Sequence, residues 1–244
     1  NLIEFANTVP LENLDFIQDG IDMNMHIANV GINDNLGKGI GRYLYGKSDD
    51  IFSKAKAFTA AASEARMSGY MLPVMSSAGS GNHGLVTIIP IAVIGADMNI
   101  SKEKIIRSIA LSHLVTIYVK AYLGTLSPVC GCGVAAGVGC AAGLTYMMGG
   151  NKEQIKGSID NMIAGISGMI CDGAKLGCSY KVSVAVDAAI DASNMALNNI
   201  YIPSDNGILG ETAEKTVLNL AKVSNEGMSN TDSTILDVML QKCM

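Results

Sequence analysis

The sequence predicts an all-α domain, and three observations carry that reading. Residues 151 to 170 repeat apolar side chains at spacings of three and four, residues 121 to 151 form a charge-free stretch rich in glycine and alanine, and only one β-branched run stands out. The first feature marks an amphipathic helix and the second a helix buried on every side. With 244 residues the chain can bury a sizeable core as one domain over 1–244.

Taken in order, residues 2 to 30 read as helical, and a further helix runs from about Asp50 to Met67 and stops at Gly69, a residue suited to the left-handed position after a helix. Ser76-Ser77-Ala78-Gly79-Ser80-Gly81-Asn82-His83-Gly84 then breaks the pattern, since nothing before His83 is large enough to pack a core. Leu85 to Gly95 is the β-branched run; it favours a short strand near 85–95, although Pro90 bars it from the centre of a sheet. Ser101 opens a helix through Ile105, Ile106, Ile109, Leu114 and Tyr118.

The stretch 121–151 holds eight glycines and Pro128 and is long enough to cross a bilayer, with Gly133/Gly137 and Gly139/Gly143 in small-xxx-small register. It stands alone and has no aromatic belt at both ends, so it reads as a buried central helix, with no membrane partner expected. Asn151 and Gln154 form a capping box, followed by Ile155, Ile159, Met162, Ile163, Ile166, Met169 and Ile170 on one face. That helix is expected to deliver Cys171 at its C-terminal end. Helices over 183–199, 211–226 and 231–241 follow, separated by turn signals at Pro203–Gly207 and Glu226–Asn230.

Composition narrows the function. Glycine (27) and methionine (14) are abundant and tryptophan is absent, so aliphatic side chains and adaptable methionines must fill the interior. A net charge of −5 argues against nucleic acid, because neutralising phosphates takes clustered Lys and Arg. Six cysteines without a recognisable signal peptide point to a reducing cytoplasm, where grouped thiols serve metals or catalysis more often than disulfides. The start at Asn1 hints at a piece of a longer protein. Assembly into a homo-oligomer stays open, with no obvious interface patch.

Cys171 and Cys178 flank a glycine-containing bend, and Cys130 lies upstream beside Pro128 and Gly131. Three thiolates would suit an iron–sulfur cluster with one iron open to substrate. Zinc with Cys132 as fourth ligand and plain core packing compete, although C-x-C and C-x₆-C are poor matches to structural zinc knuckles. Cys132 and Cys140 are expected to face the helix core. The loop from Ser76 to His83 offers hydroxyls and backbone N–H groups to an anion, strengthened if a helix follows, but it lacks the Lys-Ser/Thr pair of a P-loop. A solvent loop is the bland alternative. Among the histidines, His83 suits a substrate hydrogen bond or general base, His113 reads as a core histidine, and His26 carries no motif. Asp172 and Lys175 suit either hydrogen bonding around a cluster or a solvated turn.

Four segments in one order, Glu64 to Gly84, Ala110-Leu-Ser-His-Leu114, Leu126-Ser-Pro-Val-Cys130 and Ser167 to Ala174, resemble the α-domain of iron–sulfur L-serine dehydratases, most of all the L-cysteine desulfidase branch. The resemblance spans about residues 55 to 240. It implies a 4Fe–4S cluster on Cys130, Cys171 and Cys178, an amino-acid site built from Ser76, Ser77, Gly79, Ser80, Gly81, Asn82 and His83, and a lyase that releases sulfide, pyruvate and ammonia from L-cysteine. Water elimination from L-serine on the same site is the alternative. His83 is the first candidate for the base and Lys181 the second. Members of the family also carry an N-terminal Gly-Cys-Thr-Glu-Pro motif that this chain lacks, so a missing N-terminal region is expected to complete the site. Cys243 is a candidate labile fourth ligand, by likeness to cysteines at the end of related chains. A non-catalytic metal- or redox-sensing helical module is the contrasting class of function.

Overall fold

Four helix starts in this protein fall where a side chain takes up the first free backbone N–H groups. In the computed structural model, which describes residues 1–242, Asp50 caps α4 (Ile51–Met67), Ser101 caps α6 (Lys102–Leu123) and Thr212 caps α10 (Ala213–Lys222). The capping box of Asn151 and Gln154 opens α8 (Lys152–Ile166) with both of its hydrogen bonds made. The remaining helices are α1 (Leu2–Thr8), α2 (Phe16–Asn33), α3 (Ile40–Tyr45), α5 (Gly81–Asp97), α7 (Ala136–Met147), α9 (Gly177–Leu197) and α11 (Thr231–Gln241). The described residues form an all-α domain with two isolated bridges and no sheet.

Three expectations about elements are corrected. The helix read over residues 2 to 30 is two helices: Val9 precedes Pro10, takes an extended conformation (φ −58°, ψ 133°) and ends α1. The run from Leu85 to Gly95 belongs to α5, with Pro90 inside the helix. Its β-branched residues are nearly all buried, and burial, not pleating, accounts for their choice. The helix before Cys171 stops at Ile166, because residues 169–171 leave it to pair with another segment.

Helix α7 is the centre, with all twelve of its residues buried and α5, α6, α8 and α9 packed around it. Its glycines set that closeness. A methyl group on Gly139 would overlap the Thr116 hydroxyl and the Ser112 carbonyl of α6, and one on Gly143 would lie 2.9 Å from the Ser108 carbonyl. No helix among the described residues is long and apolar enough to cross a membrane. The buried α7 and α5 fix the segments that lead into them, residues 124–135 and 70–80, and these carry the candidate site.

Candidate active site

Two extended segments bring the first two cysteines together. Val129 and Ile170 form an antiparallel bridge, with Cys130 N–H donating to the Met169 carbonyl (2.8 Å) and Cys171 N–H to the Pro128 carbonyl (2.7 Å). Cys130 and Cys171 each follow a bridge residue, so both project from the face opposite Val129 and Ile170. After Cys130 the chain tightens into a wide turn over Gly131–Ala135 that feeds α7, and the Gly133 N–H donates to Cys130 Sγ at 3.4 Å. Cys178 is buried in the first turn of α9, and its thiol donates to the Gly173 carbonyl at 3.6 Å.

Charge is concentrated beside these sulfurs. Hydrogen bonding from Cys132, then from the Gly133 amide, with the Lys181 ammonium nearby, pulls the Cys130 thiol down to about 6, so it is ionised at neutral pH. Cys132 is pushed up because it keeps the proton that this bond requires. Lys181 donates to the Ile170 carbonyl (2.9 Å) and to Asp172, which also pairs with Lys175. Burial alone would lower Lys181, but its bond to Asp172 outweighs this and holds it protonated. Burial likewise opposes ionisation of Asp172, and the two ammonium groups overcome it, leaving its carboxyl at about 2. Lys120, buried near the end of α6, is lowered by burial and feels Cys132, Cys171 and Cys130.

The serine–glycine loop closes the other side. Ser77 and Ser80 exchange backbone hydrogen bonds of 3.1 and 3.0 Å across Ala78 (φ 44°) and Gly79 (φ 78°), a tight turn with both central residues left-handed. Two imidazoles grip Ser77: His83 Nδ1 lies 3.1 Å from its carbonyl and His113 Nδ1 lies 2.9 Å from its hydroxyl. A carbonyl only accepts, so His83 carries its proton on Nδ1 and keeps a lone pair on Nε2. That Nε2 points at the cysteine segment, where a methyl group on Gly131 would sit 2.5 Å away. Burial first, then Lys120, lowers His83 to about 4, and burial lowers His113 to about 4, so both are neutral at pH 7.

The loop, the histidine and the cysteine segment thus meet at one place. The serine dehydratase alpha chain model matches residues 3–237. This chain belongs to that family. The chain is similar to a UPF0597 protein of Caldanaerobacter subterraneus subsp. tengcongensis, 61% identical over 242 residues (99% of this chain, 57% of the relative). UPF0597 proteins of Clostridium tetani (60% over 243 residues, 100% and 57%) and Clostridioides difficile (46% over 245 residues, 98% and 57%) are similar to it as well. The chain therefore spans little more than half the length of these relatives.

The serine dehydratase family is associated with iron–sulfur clusters, and the donor chemistry here fits one. Among the described residues no three His, Cys, Asp or Glu side chains are gathered to hold a single metal ion. A four-iron cluster takes each thiolate on a different iron, so its ligands stand apart. Cys130, Cys171 and Cys178 supply thiols alone, one of them already ionised, and the Lys120 and Lys181 charges act on them.

The sequence-level site is only partly surface. Ser76 and Gly79 are exposed and Ser80 half-buried, whereas Ser77, Gly81 and Asn82 lie inside. Asn82 turns to α4, its Oδ1 accepting from Arg66 at 3.1 Å. Cys140 is wholly buried in the core as expected, and Cys132, partly exposed, packs against that core while also sitting beside Cys130. His113 and Lys120 escaped the sequence reading as site residues. His113 does stand in Ala110–Leu114, one of the four segments carrying the resemblance; Lys120 left only the signal of a cation at the edge of the charge-free stretch. Cys243 lies outside the described residues.

Proposed function

We propose that this chain forms the cluster- and substrate-binding part of a lyase that eliminates sulfide from L-cysteine, giving pyruvate and ammonia. The observation that supports it is the approach of His83 Nε2 to Gly131, which joins the Ser76–His83 loop to the Cys130–Cys132 segment. Cys130, Cys171 and Cys178 would hold a 4Fe–4S cluster, which when bound supplies an iron with an open position as Lewis acid toward the β-substituent. The chain's own groups do the rest. The loop holds the amino acid at this edge, with the Ser76 and Ser80 hydroxyls free of protein partners in the described structure. His83, kept neutral by burial, offers Nε2 to the α-proton; its low basicity is matched by a lone pair that is always available at pH 7. Lys181 is held as a cation by Asp172 and would have to pass its proton on before serving as a base, so it acts as a charge beside the thiolates. Loss of the α-proton and of sulfide leaves aminoacrylate, which water hydrolyses to pyruvate and ammonia.

The family name favours a second reading, water elimination from L-serine on the same site. The portion of the relatives' length absent from this chain is proposed to complete the pocket. The test uses the whole protein reconstituted anaerobically with iron and sulfide, and follows sulfide, ammonia and pyruvate from each amino acid. Equal amounts of the three products from L-cysteine are expected, with Cys171→Ser abolishing both cluster absorbance and turnover while the helical circular dichroism persists. Pyruvate from L-serine alone would hand the site to the dehydratase reading. Bound iron with no product from either amino acid would make this a non-catalytic module.

A further inference from the structure

We propose that Lys120 binds the carboxylate of the substrate amino acid, an assignment that rests on the lyase reading above. Lys120 is a buried cation, 7% exposed, with no carboxylate within ion-pair distance among the described residues. Its neighbour Lys181 shows the contrast, being paired with Asp172. An ammonium has three N–H donors. One goes to the Thr125 carbonyl at 3.2 Å and one, at 3.5 Å, to the Ser127 hydroxyl, whose own proton is given to the Val129 carbonyl at 2.8 Å. Among the described residues the third has no acceptor, and none of the three is donated to a cysteine sulfur. Burying a charge with so little compensation is unfavourable unless an anion completes the shell.

Position selects the anion. The contact through Ser127 to Val129 ties the ammonium to the segment that carries Cys130. Its charge also acts on His83 and on Cys130, Cys132 and Cys171, so it is near both the proposed base and the proposed ligands. In an α-amino acid the carboxylate shares its carbon with the proton to be removed and is one bond further from the β-substituent. Holding the carboxylate at Lys120 lets the α-proton face His83 Nε2 while the β-sulfur faces the cysteines. A small monoanionic carboxylate also fits a donor set with one free N–H.

The test is calorimetric binding to the whole, anaerobically reconstituted protein of L-alanine, which keeps the carboxylate and lacks a leaving group, and of L-alaninol, in which an alcohol replaces the carboxylate. Lys120→Met should weaken L-alanine by about 30-fold, in line with loss of a buried charged hydrogen bond, and leave L-alaninol within about twofold. Lys120→Arg should recover part of the loss. Iron content and cluster absorbance should match the unmodified protein, and ligand-free Lys120→Met should melt at a higher temperature because the uncompensated charge is gone. Lys120→Gln is measured in the same way if Lys120→Met loses iron. Unchanged L-alanine affinity, or an equal loss for both ligands, would overturn the assignment, the latter outcome meaning that Lys120 only offsets charge at the cysteines. If the unmodified protein turns over neither L-cysteine nor L-serine and binds neither ligand, it is the lyase reading that fails.

Discussion

Ser77 is the residue on which the pocket turns, because one imidazole holds its carbonyl and another its hydroxyl. His113 Nε2 is buried with no partner, so Ser77 Oγ is the only hydrogen bond that ring makes among the described contacts. Ser77→Ala would leave a buried imidazole unsatisfied, at about 1–3 kcal/mol; urea unfolding should show that loss. Gly131 makes the complementary case. A methyl group there meets His83 Nε2 at 2.5 Å, so Gly131→Ala must displace the ring. Turnover should fall at least about tenfold, as expected for a misplaced proton acceptor, with iron content unchanged. An enzyme as active as the unmodified one would remove His83 from the reaction.

At the scale of elements, caps and close approaches were legible and irregular backbone was not. Asp50, Ser101 and the Asn151–Gln154 box mark helix starts by residue type alone. The end of α8 escaped because the apolar rhythm continues through Met169 and Ile170 while the backbone has already left the helix for the Val129 bridge, a long-range pairing no local pattern encodes. The strand expected near 85–95 failed for a related reason: a helix buried on all sides selects the same β-branched residues as a strand. Two predictions belong here. The Asp50 carboxylate accepts from the Ser48 hydroxyl and from Phe52 and Ser53 N–H, the last two at 3.0 Å, and these bonds hold its pKa well below the ordinary 3.8. Asp50→Ala should cost about 1 kcal/mol at pH 6. A depressed folded pKa gives stability that is present above 3.8 and lost as pH falls below it, so the cost should shrink by pH 3 in paired thermal melts. Gly139→Ala should cost about 1–3 kcal/mol through overpacking, and Thr116→Ala should not rescue it, since the Ser112 carbonyl is still in the way.

Across the whole molecule, the site was legible as types of residue and not as partnerships. Cys130, Cys171 and Cys178 could be named because thiols are few and stand among glycines; that Lys120 and Lys181 lie beside them depends on α6 and α9 packing around α7. The same packing makes global stability answer to two histidines. His83 and His113 are each lowered from 6.5 to about 4, mainly by burial, so the unfolded chain binds more protons than the folded one between those values. Stability is then full above 6.5 and is lost as pH falls toward 4, by at most about 1.4 kcal/mol per pH unit for each ring. Other shifted groups lie outside the lower part of this window: Cys130 acts only above its depressed value of about 6, and Asp172 only below 3.8. Urea unfolding between pH 4 and 6 should therefore show stability rising with pH. His113→Gln should remove about half of that slope and the His83→Gln, His113→Gln pair nearly all of it. A slope that survives both substitutions would mean that these rings are hydrated in the native protein, and it would undercut the neutral, lone-pair-bearing His83 that the proposed elimination requires.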